Sequence, residues 1–193
     1  MNALQLTKHG FRLILAIAAT GLAFSQSLPP LSSNASVYAT GLNNPRGLKF
    51  GPDGALYVAE GGMGGTTSSV GVCPEVVAPI GPYTGGSTGR ISRLGLHGAR
   101  STVVDGLPSS QTSSAMGSLV SGVADVAFVG STMYALISGG GCSHGLASSP
   151  NGVIQVNMSK GTWTQLADLS NFVANHPVAN PSSDDFEPDG TFY

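Results

Sequence analysis

The residues from Asn43 to Glu60, NNPRGLKFGPDGALYVAE, constrain the chain more than any other stretch, because they hold two short strands and the turn that joins them. Gly47 to Phe50 alternates small or polar residues with apolar ones. Gly51-Pro52-Asp53-Gly54 is dense turn chemistry, and Ala55 to Ala59 is a second apolar, aromatic and β-branched run. This is the signature of a β-hairpin. Pro52 presets φ at the first central turn position, and Asp53 and Gly54 tolerate left-handed backbone. So small a hairpin cannot bury its own apolar face, so it must belong to a larger sheet.

The order of parts in this stretch recurs. A strand ending in Gly-Leu (Gly41-Leu42, then Gly106-Leu107) precedes a strand ending in Phe (Phe50, then Phe128), a turn, and a strand carrying Tyr (Tyr57, then Tyr134). Each copy runs into a glycine-rich loop and then a further strand, at Gly89–Leu94 and at Gly152–Val156. Equivalent residues lie roughly 63 to 78 positions apart. Units of four short strands at that spacing predict an all-β chain of propeller blades with long inserted loops, the first strand falling near residues 37–39. Trp163 to Asp168 then reads as the opening of a third unit that is incomplete at Tyr193. A propeller closes only with four or more blades. The expectation is therefore an incomplete β-propeller, about two and a half blades from the N-terminal part of a longer protein. A two-sheet sandwich is the alternative.

Composition agrees with a turn-rich β protein: 28 glycines, 12 prolines, only 9% charged residues and a near-ordinary 41% hydrophobic. Such a chain is too apolar and too weakly charged to read as disordered. Lys8, His9 and Arg12 precede an apolar run from Leu13 to Phe24 that ends in small and polar residues. This predicts a signal peptide over residues 1–25, too short for a membrane anchor, then a Pro- and Ser-rich linker over 26–36 and the propeller part over 37–193. The exported chain would keep six basic residues against ten acidic ones, a formal charge of −4. Nucleic acid is thereby disfavoured as a partner, and without a basic amphipathic helix so is a membrane surface. The predicted location is secreted or periplasmic. There, Cys73 and Cys142, an even pair in comparable glycine-rich loops, read as a disulfide. Two thiols in a metal site with His144 are the alternative, one ligand short for zinc.

Several motifs together resemble a known group: GLNNPRGLKFGPDGALYVAE, CPEVVAPIGPYTGGSTGRISRL, GVADVAFVGSTMYALISGGGCSHG and NFVANHPVANPSSDDFEPDGTFY. In this order they resemble the ScyD/ScyE family of exported β-propeller proteins, over nearly all of the chain after the export signal. The resemblance implies a propeller, six-bladed, of the architecture shared by gluconolactonase-like and NHL-repeat proteins. It implies no reaction, since the family brings no assigned catalytic residues.

In a propeller, ligand sites gather at one channel mouth, just before each innermost strand. The candidates there are Asn44 and Arg46 in the first unit, Asp125 in the second, and Glu187 and Asp189 in the third. Asp125, Glu187 and Asp189 could jointly hold calcium through hard oxygen ligands, as lactonase-like propellers do. The bland counterparts are a strand cap at Asp125, an ion pair at Arg46 and a plain turn at Asp189. Asp184, Asp185, Glu187 and Asp189 lack EF-hand spacing and read better as a solvated acidic loop. Glu60 reads as a cap for the loop that follows it, and His144 as an acid or base with no nearby carboxylate to orient it. His97 and His176 fall in loops, and the Gly-Gly runs at 61–65 and 139–141 read as flexible. The expected function is a binding or accessory module for a small molecule or a protein, without assigned catalysis. The alternative is a calcium-dependent lactonase or hydrolase, so whether the chain is an enzyme stays open.

Overall fold

The computed structural model describes residues 32–177. The chain divides into two compact units at Ser36/Val37, and both sheets and the helix among the described residues belong to the second unit. Residues 1–25, read as an export signal, lie outside the described residues, as do Glu187 and Asp189.

The second unit is all-β, built from two antiparallel sheets in which every strand pairs with its neighbour in sequence. The first sheet contains β1 (Pro45–Phe50), β2 (Leu56–Glu60), β3 (Thr84–Leu94), β4 (Arg100–Gln111) and the two-residue β5 (Val120–Ser121). The second contains β6 (Val123–Val129), β7 (Thr132–Ile137), β8 (Gly152–Asn157) and β9 (Thr162–Asp168). A short helix, α1 (Leu169–Asn175), follows β9 directly. Asp168 caps it by accepting the Asn171 N–H at 2.8 Å, a signal of the Asx-cap type that the strand-based reading passed over.

The predicted hairpin is present, with Leu48 opposite Val58 and Phe50 opposite Leu56. Asp53 holds the turn as acceptor from the Ala55 amide, the Tyr57 hydroxyl and Arg93 Nε, the last at 2.8 Å. Burial of Tyr57, with the Asp53 charge beside it, raises the phenol pKa above its ordinary value.

The grouping of strands differs from the sequence expectation at three places. Residues 37–39 form no strand; Tyr38 is tied instead by its hydroxyl to the Gly95 carbonyl at 2.9 Å. Thr102–Asp105, read as opening a second unit, lies in β4 and pairs with β3, so it belongs to the first sheet. Trp163–Asp168, read as opening a third unit, is β9, the last strand of the second sheet. The cause is general: a cyclic order of strands can be cut at any point, and only hydrogen bonding between distant residues shows where one sheet ends.

One core lies between the sheets. Tyr57, Ala59, Ile91, Val104 and Leu107 from the first pack against Val126, Met133, Ala135, Ile154 and Val156 from the second. Tyr57 meets Phe128 edge to face at 4.9 Å between centroids. Strand alternation sends the next residues the other way. Leu48 and Phe50 therefore lie on the far face of the first sheet, and Val129 and Leu136 on that of the second; all four are exposed. The first strands of the two sheets run side by side, so close at Gly47 that a Cβ there would overlap Asp125 Oδ1.

Candidate functional site

The ladder Pro45–Glu60 and the pair Gly152–Asp168 put the starts of β1 and β8, the end of β9 and the long β2–β3 and β7–β8 connections at one end of the sheets. Glycine determines how those connections pack. In the runs expected to be flexible, Gly61, Gly62, Gly64, Gly139, Gly140 and Gly141 are buried, several of them backbone against backbone, with Met63 exposed among them. A Cβ on Gly65 would overlap the Gly85 carbonyl oxygen, and one on Gly139 would lie 2.5 Å from that of Ser121. Only a residue without a side chain allows such approach. Thr67 and Gly85 exchange backbone hydrogen bonds at 2.9 and 2.8 Å, fixing the first connection onto β3.

Cys73 and Cys142 form a disulfide between the two connections, across a Cα–Cα distance of 6.0 Å. The expected pairing is therefore present, and the thiol-and-His144 metal alternative falls with it. Ser69 adds a hydroxyl donated to the Cys142 carbonyl. His144 is fully buried beneath this staple. Its Nδ1 lies 2.8 Å from Ser110 Oγ, and its ring stands edge-on to Tyr83 at 4.5 Å. It serves as a packing and hydrogen-bonding member of the loop interior, out of reach of solvent as an acid or base.

The predicted inner-strand residues each have a backbone partner. Asn44, at positive φ of 49°, donates to the Gly62 carbonyl at 2.8 Å. Arg46 Nη1 donates to the Val120 carbonyl at 2.8 Å, linking β1 to β5, and no carboxylate pairs with it among the described residues. Asp125 is exposed and accepts the Val126 N–H at 2.8 Å, as a strand cap does. No three His, Cys, Asp or Glu side chains gather as a metal-holding group among the described residues. Two of the three residues named for calcium, Glu187 and Asp189, are outside them. His97 and His176 are exposed, in a short 3-10 turn and at the end of α1.

Glu60 is more than a cap. Its side chain is fully buried, ion-paired to Arg90 at 2.8 Å, and it accepts from the Ser92 hydroxyl and the Asn43 amide. Burial pushes this carboxyl up, but the Arg90, Ser92 and Asn43 donors outweigh it and hold the pKa below the usual glutamate value. Arg90 also donates to the Gly41 carbonyl, so the cluster anchors the segment entering β1.

Beside the disulfide lies a cleft of about 520 Å³. Cys73, Pro74, Ala147, Pro150 and Ala174 make its apolar walls, while Ser143, Asp168 and Asn171 bring polar groups. Its volume and mixed lining are those of a small-molecule pocket. A second groove, of about 570 Å³, lies at the other end of the second sheet beside Trp163 and is lined mainly by polar residues of the turns. Sequence reasoning missed both, because neither rests on a motif; each forms where separate connections meet.

The fold and these sites define a disulfide-stapled all-β protein of two sequential antiparallel sheets. Compared with family models, with curated proteins and with solved structures, the chain matches none.

Proposed function

We propose that the two sheets are successive blades of a β-propeller and that the protein works outside the cytoplasm as a binding or accessory module, as its resemblance to the ScyD/ScyE family implies. The observation that carries this reading is the arrangement of the sheets. Each is a meander in chain order, their first strands β1 and β6 lie side by side, and one apolar core joins their faces. Radially stacked blades have this geometry. The exposed apolar residues on the far faces, Leu48 and Phe50 on one and Val129 and Leu136 on the other, are where further blades would pack. A disulfide suits an oxidising compartment, and among the described residues no helix is long and apolar enough to cross a membrane. Binding is favoured over catalysis because His144, Glu60 and Ser92, the groups best suited to chemistry, are committed to internal bonds.

The test is an experimental structure of the secreted protein. Sheets packed around a common axis over Phe50 and over Leu136 support the reading, whereas finding both faces in solvent sinks it. Asp125 provides a separate arm for the calcium-dependent lactonase alternative. Calorimetric calcium binding abolished by Asp125→Ala, together with lost lactone hydrolysis, would replace the binding module with that enzyme.

A further inference from the structure

The cleft beside Cys73–Cys142 has a feature its other polar groups lack. Among the described residues, two buried side-chain oxygens have no hydrogen-bond partner, Ser143 Oγ and Glu75 Oε2. Ser143 is only 1% exposed, lines the cleft and sits in the 3-10 turn between the bridged Cys142 and the buried His144. Glu75 directly follows the lining residue Pro74. Two other polar side chains of the lining are already engaged: Asp168 accepts from the Asn171 amide at 2.8 Å, and Ser170 from the Asn151 amide at 3.0 Å. Buried polar groups in folded proteins are nearly always satisfied, so an orphan hydroxyl at the wall of a roomy cleft marks where a ligand's polar group belongs.

We infer that this cleft is a binding site for a small organic molecule with an apolar body and a neutral or cationic hydrogen-bond-donating head. The apolar body matches the disulfide, proline and alanine walls. The head matches Ser143, which can accept a hydrogen bond through its hydroxyl oxygen. Charge sets the sign: Asp168 is the one ionisable side chain on the lining, and neither Lys nor Arg contributes, so an anionic head is repelled. The site needs only the cleft, so its failure would leave the propeller reading standing.

Three probes of one shape and different charge test this on the full, disulfide-bonded chain: benzyl alcohol, benzylamine and benzoate, titrated into ¹⁵N-labelled protein. Saturable shifts of the Ser143, Ala147, Asn171 and Ala174 amides are expected with the alcohol and the amine and not with benzoate. Ala147→Trp should fill the cleft and abolish them, and Ala174→Trp does the same from another wall should the first variant not fold. Ser143→Ala should weaken both probes by roughly fivefold, the worth of one hydrogen bond. No saturable shift up to about 10 mM, a weakly bound limit for such small ligands, overturns the inference. So does benzoate binding as well as the amine, or shifts that survive both tryptophan variants.

Discussion

Replacing both Cys73 and Cys142 by alanine tests what the staple contributes. The two lie 69 residues apart, so the bridge closes a loop that takes in the second half of the β2–β3 connection, β3 to β7 and the start of the β7–β8 connection. In the chain-entropy account a loop of that length removes about 4 kcal/mol of freedom from the unfolded state at 25 °C. Typical domains are stable by only about 5–15 kcal/mol, so the loss is a large share of the whole. For a domain of this size it corresponds to a fall in Tm of roughly 8–16 °C. Urea denaturation followed through Trp163, the single tryptophan and packed at the edge of the core, reads it directly. The variant should unfold at lower urea with a somewhat larger m-value, since an unbridged unfolded chain exposes more surface. Wild-type protein unfolded in reductant should match it. A loss below about 1 kcal/mol would refute the reasoning, because the bridge would then impose no constraint that the unfolded chain lacks.

Glu60→Ala leaves Arg90 without its buried partner and should cost about 3–5 kcal/mol, measured as the shift in urea midpoint. Because the Glu60 pKa is held down in the folded state, its contribution is complete above the ordinary glutamate pKa of about 4.3 and fades as pH falls through the folded value. Between pH 6 and pH 3, wild-type stability should therefore drop more steeply than that of Glu60→Gln; parallel curves would contradict the assignment. Gly47→Ala places a Cβ within 2.7 Å of the Asp125 Cα, so β1 and β6 must part. A loss of about 1–3 kcal/mol is expected by thermal melting, where an exposed Gly→Ala change is ordinarily neutral or stabilising. Met133→Ala, at a fully buried core position, should cost about 2–5 kcal/mol in the same assay.

The sequence by itself determined what is local. The Gly51–Gly54 turn, the alternation through Phe50 and Tyr57 and the recurring Tyr strand identify antiparallel β-structure, because side-chain period and turn chemistry act within a few residues. The cysteine pair was legible too, since an even count in a chain read as exported leaves few other uses. Only the tertiary structure decided the rest. It assigned Thr102–Asp105 and Trp163–Asp168 to the preceding sheets, packed the glycine runs where flexible loops were expected, buried Glu60 and His144 in internal bonds, and opened a cleft at the disulfide. The physical reason is the same in each case: which strands pair, which backbones touch and which side chains lose their solvent are set by contacts between residues far apart in the chain, and no local pattern encodes those distances.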